Sequence, residues 1–320
     1  DRVWQMVSEF RGYMFNKAHS AAYAVEAYAG AWLKTRYPLE FLAAVLSSRR
    51  GFYAPIVYVL EALRLGAEFL PPDIHLSDAR RFTVHGRQIR LPLDQVRGLT
   101  QATLERIIGR RPFRDPADFY RRAEPARSEW LALLKAGALD AFGEPRGGLF
   151  WRLQRLEAYG WRGRLVEAEP PPAFEPTEEN RARWEAEVLG FPVSLHPLAL
   201  WAGHVDWRAY LPAAELWRRQ QDFYGKAIRV AGLIVADRRH PASNGVMKFV
   251  TLADWTGFLE AALFADVYRD YGHWTVQPVI GLEAIVEPFD NRRGFTLRAL
   301  RVLPQPTRQS AFSEPRVKGV

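Results

Sequence analysis

The run Phe15-Asn16-Lys17-Ala18-His19-Ser20 places a lysine and a histidine where an Ala-rich helix begins. Backbone amides at a helix start favour anions. A Lys beside them is a compact point charge suited to phosphate, so Lys17 and His19 are candidates for holding a triphosphate. The plainer reading is an ordinary helix terminus with an exposed Lys and a structural His. One Lys/His pair is nonspecific, and no Gly-rich phosphate loop accompanies it.

Two glycine turns form a second candidate. Val96-Arg97-Gly98-Leu99-Thr100 leads into a helical run from Gln101 to Gly109, and Ala136-Gly137-Ala138 lies between Trp130–Lys135 and Leu139–Phe142. A Gly-containing turn between two helices is the centre of a helix-hairpin-helix. Its exposed N–H groups can hold a nucleic-acid phosphate without reading base sequence. Arg97, Gly98, Thr100, Lys135 and Gly137 would make those contacts. The pattern is imperfect, with Thr100 in place of a second Gly in the first turn and Ala136 in place of a leading Gly in the second. Both glycines would serve equally as helix caps, and the two readings stand level.

From Ala227 the hydrophobic period changes from helical to strand-like. Strands are expected at Ala227–Ala236, Val246–Leu252, Phe258–Phe264, Val279–Val286 and Thr296–Val302, with a short helix, Ala265–Tyr271, between the third and fourth. That order is the one of an OB-fold barrel. Arg238-Arg239-His240-Pro241 is expected in the loop after the first strand, and Asn291-Arg292-Arg293-Gly294 in the loop before the fifth. These two loops flank an OB-fold groove. Lys248, Phe249 and Trp255 would add charge and stacking faces. In the alternative, Phe249 faces the core and the arginines are solvated.

The acidic residues form no persuasive metal site, since Asp115, Asp118 and Asp140 sit where N-capping is expected. The His residues lack metal-ligand spacing, and no catalytic constellation is complete. No catalytic and no metal-binding residue is therefore assigned to this chain.

The elements carrying these residues belong to a chain of 320 residues, long enough for two or three domains. Its hydrophobic share of 48% and charged share of 25% are those of a folded soluble protein. A Cys count of 0 excludes disulfide frameworks, thiolate metal sites and a Cys nucleophile, and makes a cytoplasmic location the expectation. A net charge of +8 favours a polyanionic partner. No apolar run approaches the ~20 residues of a membrane span. The chain opens on Asp1, inside what reads as an amphipathic helix, so a fragment is expected. The fold class read from these patterns is multidomain α+β. A helical segment (1–75) is followed by a hairpin with tandem helix-hairpin-helix (76–165), a Pro-rich linker and helix (166–210), an OB-fold β-barrel (211–305) and a loose tail (306–320).

Several of these runs together resemble a known family. Tyr13 to Ala24, Ala31-Trp32-Leu33-Lys34 and Tyr37-Pro38-Leu39-Glu40-Phe41 are similar to the fingers region of the bacterial DNA polymerase III alpha subunit, a C-family DNA polymerase. Leu70-Pro71-Pro72-Asp73-Ile74, Val96-Arg97-Gly98-Leu99, Leu134 to Gly143, Leu189 to Leu198, Val230 to Ile234 and Phe249 to Asp254 resemble later landmarks of that family, in its order. The resemblance covers its carboxy-terminal part and implies a DNA-directed DNA polymerase whose Mg²⁺-holding palm carboxylates lie outside this chain. It implies that Lys17 and His19 lie near the incoming deoxynucleoside triphosphate, with Asn16 shaping the turn. The hairpins would hold primer-template duplex, and the barrel would meet single-stranded template. A sliding clamp and damage-tolerance accessory proteins are further implied partners. The chain's end soon after the barrel, and the poor match of Gln154 to Tyr159 to a clamp-binding peptide, resemble the shorter error-prone paralogues. A non-enzymatic DNA-binding adaptor built from the same modules is the alternative, and no membrane partner is expected.

Overall fold

The computed structural model describes residues 17–159, 175–203, 205–290 and 294–304. The triple-proline stretch and the tail lie outside them. Helix α1 (Lys17–Arg36) is followed by α2 (Pro38–Ser48) and α3 (Pro55–Arg64), each of the latter two opening on a proline whose missing N–H costs nothing at that position. From His19 to Arg36 every residue except Gly30 is exposed, so α1 stands off the body. An ion pair from Lys34 to Glu61 of α3 holds its far end.

The extended segment leaving α3 becomes strand β1 (Glu68–Leu70), parallel to β3 (Gln88–Arg90), which is antiparallel to β2 (Thr83–His85) across the turn at Gly86. Four helices follow: α4 (Gln101–Arg110), α5 (Pro116–Ala123), α6 (Arg127–Ala136) and α7 (Arg146–Tyr159). Thr100 and Asp115 cap α4 and α5 by accepting from the N–H groups of Thr103 and Asp118. Helix α8 (Glu178–Leu189), capped by Thr177 and ended by Gly190, returns onto them. Apolar residues from Leu39 to Phe191 form one continuous core around Trp130 and Phe119. The boundary expected at 75/76 therefore does not separate two cores, and α8 belongs to this body as a packed element.

Three buried carboxylates fix these helices. Glu129 of α6 accepts from the N–H and Oγ1 of Thr100, from Oγ1 of Thr103 and from the N–H of Ala126, joining the starts of α4 and α6. Glu185 of α8 accepts from the N–H groups of Val193 and Ser194 at 2.8 Å each and lies 3.6 Å from Arg146. Arg146 also donates to Asp140 and to the carbonyl of Lys135, so α8, α7 and the end of α6 share one charge cluster. Asp118 is surrounded by Arg114, Arg121 and Arg122.

The second body is a closed barrel in the order β4-β5-β6-β8-β7. Its strands are β4 (Ala227–Ala242), β5 (Gly245–Ala253), β6 (Phe258–Leu263), β7 (Val279–Pro288) and β8 (Phe295–Pro304). Helix α9 (Ala265–Tyr271) sits between the third and fourth strands. This is the OB arrangement. Val230, Val250, Leu252, Leu259, Leu282 and Leu297 point inward and fill it. A small cluster of Leu60, Val235 and Ala253 joins α3 to the barrel wall.

One expectation is corrected. Arg238-Arg239-His240-Pro241 is not a loop, because β4 continues through it and pairs Arg238 with Phe249, Arg239 with Lys248 and His240 with Met247. The turn itself is confined to residues 243–244.

Burial pushes the Asp118 carboxyl up, but the Arg114 N–H and the guanidinium groups of Arg122 and Arg121 outweigh it and bring it down to about 2. The folded-state value lies below the ordinary 3.8. The stability it contributes is therefore complete above pH 3.8 and lost as the pH falls toward about 2. The gap in unfolding midpoint between wild type and Asp118→Asn should be widest above pH 3.8 and shrink steadily toward pH 2. A gap that does not change with pH over that window would contradict the assignment.

Candidate nucleic-acid interface

The first glycine turn is open. A one-turn 3-10 helix, Leu93–Gln95, precedes it rather than the full helix expected, and α4 follows. Gly98 has φ +89, a left-handed conformation that costs glycine nothing, and no atom lies within 4 Å of where a β-carbon would sit. A phosphate can therefore approach its backbone. Arg97 is exposed beside it, its guanidinium donating to the carbonyl of Glu187 at 3.3 Å. The Thr100 N–H is already taken by Glu129 at 2.9 Å, so the amides left facing outward at the start of α4 are those of Gln101 and Ala102.

The second turn is closed. Gly137 is buried at φ +82, and a β-carbon there would fall 2.4 Å from an Nη of Arg146. Lys135 forms a two-pronged ion pair with Glu187 of α8 at 2.8 and 2.9 Å. The turn expected as a second phosphate contact is thus covered by its own neighbours. A buried Arg that needs a carboxylate on each side explains why.

On the barrel, side-chain alternation decides what faces out. Val250 and Leu252 enter the core, so Phe249 and Thr251 lie on the outer surface. The paired register sets Arg238, Phe249, Ala262 and Arg298 in one row across β4, β5, β6 and β8. The Arg238 guanidinium lies 5.2 Å from the centre of the Phe249 ring. Arg298 is ion-paired with Glu287. Ala262, next in the row, is small and buried, and Arg298 lies one strand further on. Ala262 and Arg298 were not singled out from sequence, because only the β6–β8 pairing brings them beside Phe249. Glu260, exposed and paired with Thr251, bounds the row on its acidic side.

Lys248 does not join this surface. It points inward, is buried, pairs with Asp237 and donates to Oγ1 of Thr275 at 3.0 Å. The reading of Lys248 as a surface charge is corrected: its ammonium is buried, paired with the exposed Asp237, and ties β5 to the segment before β7. Trp255 lies in the β5–β6 turn, away from the row, tilted against His196 at 4.8 Å and edge-on to Trp207 at 5.9 Å. Burial holds the His196 imidazole below its ordinary value, against the pull of Asp254. Arg239 is exposed on the β4–β5 arm. Asn16, Arg292 and Arg293 lie outside the described residues. Lys17 opens α1, and His19 sits on its exposed first turn with its ring edge-on to Tyr23 at 4.5 Å. Among the described residues no group of three or more His, Asp or Glu converges to hold a metal ion. No described helix is long and apolar enough to cross a membrane.

A model of the helix-hairpin-helix motif matches residues 66–149. The chain is 34% identical over 267 residues to an error-prone DNA polymerase of Alkalilimnicola ehrlichii, covering 80% of this chain and 26% of that protein. It is 34% identical over 292 residues to the DNA polymerase III subunit alpha of Thermus aquaticus, covering 84% and 24%. An error-prone DNA polymerase of Bdellovibrio bacteriovorus is 30% identical over 298 residues, covering 84% and 28%. The chain thus spans about a quarter of the length of the relatives it matches. Among solved structures, the second OB-fold domain of replication protein A from Methanococcus maripaludis matches 25% of this chain and 83% of that one at 15% identity and a TM-score of 0.20. The barrel's assignment rests on its own strand pairing.

The two glycine turns make opposite demands on a methyl group. Gly98→Ala should cost only the left-handed strain, about 1–2 kcal/mol. Gly137→Ala should cost that strain and also displace Arg146, lowering the denaturant midpoint further. Equal losses in equilibrium unfolding would contradict the closed second turn.

Proposed function

We infer that this chain, homologous over four-fifths or more of its length to bacterial error-prone DNA polymerases and DNA polymerase III alpha subunits, is the part of such an enzyme that holds DNA. The observation that carries the reading is the Arg238–Phe249–Ala262–Arg298 row on a closed barrel, joined to a matched helix-hairpin-helix. A ring with one guanidinium over it and a second cation further along the row suits contact with successive bases, with charge alongside and without base specificity.

The roles divide by geometry. The open Gly98 turn, with Arg97 beside it, suits a duplex phosphate, a contact that positions and does not specify. The barrel row suits the single-stranded template. Lys17 and His19, at the N-terminal end of α1, suit the triphosphate of an incoming deoxynucleotide, where a Lys offsets charge developing in phosphoryl transfer. Mg²⁺ would supply the activating charge at the reacting phosphate in the complete polymerase. The residues described in this chain do not fit that ion, and its ligands are assigned to the remainder of the enzyme. Sliding clamp and damage-tolerance proteins remain partners of that larger assembly, and the bacterial cytoplasm its location.

Phe249→Ala should weaken binding of a short single strand by about 1–3 kcal/mol, roughly 5- to 150-fold. Arg238→Ala should flatten the salt dependence by about 0.7 in log–log slope. Unchanged affinity and slope in fluorescence anisotropy would remove the row from the interface. The nuclease-free chain should extend no primer, and extension would show that its own groups suffice for catalysis.

A further inference from the structure

Many arginines of the helical body are matched by carboxylates. Arg49 is paired with Asp94, Arg127 with Glu157 and Arg146 with Asp140, and three more share Asp118. Arg80 and Arg81 differ from these. Both are exposed, and among the described residues no carboxylate lies within ion-pair distance of either. The Arg80 guanidinium donates to a neutral group, Oε1 of Gln101, at 3.3 Å, longer than the usual range for such a bond.

The segment carrying the pair is fixed. Oδ1 of Asp78 accepts from the N–H groups of Arg80 and Arg81 at 2.8 and 2.9 Å, which closes a turn. The carbonyls of Asp78 and Ala79 accept from the N–H groups of Leu93 and Asp94 at 3.1 and 3.0 Å. Phe82 is buried and its N–H donates to Oγ of Ser47 at 2.9 Å. The two arginines are therefore fastened to the residues that lead into the open Gly98 turn, and Gln101, which Arg80 touches, is the first residue of α4 on the far side of that turn. The nearest carboxylates are committed elsewhere. Asp94, within electrostatic reach of Arg80, is paired with Arg49 at 2.7 Å, and Glu105 accepts from Nε2 of Gln101 at 2.7 Å.

A guanidinium on a fixed turn, held by one long bond to a neutral amide, gains by exchanging that bond for a charge-assisted fork to a phosphate. We propose that Arg80 is a positioning residue for duplex DNA, contacting the phosphate next to the one at the Gly98 turn, with Arg81 adding charge alongside. The inference rests on the reading that the first hairpin holds duplex. Two cationic points on one rigid body select an anion that repeats at fixed spacing, whereas a lone anion gains from only one of them. The contact carries no base preference.

The test measures binding of a short blunt DNA duplex to the whole chain by fluorescence anisotropy across a salt series. Arg80→Ala should weaken binding at low salt and flatten the log–log salt dependence by about 0.9. Arg80→Lys should keep the slope, because the charge remains, and lose affinity with the fork. Gln101→Ala removes only the tether and should leave the slope unchanged. Arg114→Ala, which removes an exposed arginine beyond the far end of α4, should leave it unchanged too. Arg97→Ala reports separately on the hairpin reading. A slope moved by Arg97→Ala and not by Arg80→Ala overturns this proposal and leaves the hairpin reading standing, and a slope moved by neither removes both. Equal flattening by Arg80→Ala and Arg114→Ala would trace the effect to overall charge, and equal flattening by Arg80→Ala and Gln101→Ala would trace it to the Arg80–Gln101 bond. Either result overturns the proposal.

Discussion

The two-residue alternation of β5 is the constraint on which the barrel surface depends. Val250 and Leu252 must enter a closed core, and closure leaves no edge through which the strand could slip by one residue. Phe249 is therefore held outward, and Arg238, Ala262 and Arg298 follow from register alone. Lys248 shows what the same constraint costs. Its position is inward, so the ammonium is taken from water and must be matched by Asp237 and Thr275.

In the helical body the organising interaction is different. Glu129, Glu185 and Asp118 are buried carboxylates that collect N–H groups and guanidinium groups from neighbouring elements. Much of the basic charge near the hairpins is spent in this way, so net charge overstates what is available to a polyanion. The first turn stays open because Gly98 has no arginine folded over it. The second is closed because Arg146 reaches Asp140 and the Lys135 carbonyl across Gly137. Two similar turns thus present different surfaces.

Much of this was legible in the residues. The five strands and the helix 265–271 followed from alternation, and the caps at Thr100 and Asp115 from local chemistry. The continuation of β4 through Arg238–Pro241 was hidden, because an arm extending beyond the barrel is solvated and carries no apolar alternation. The burial of Lys248 was hidden too, since its partners lie 11 and 27 residues away, and only the fold brings them together. Arg298 needed the parallel β6–β8 pairing, a contact without local signal.

On the proposed reading, a single strand lies across the outer face of β5 with a base on Phe249. Photocrosslinking a short oligonucleotide carrying 5-iodouracil, followed by mass spectrometry of the peptides, tests it directly. A crosslink within Gly245–Ala253, centred on Phe249, is expected. Crosslinks confined to the β7 side of the barrel, with none on β5, would contradict it.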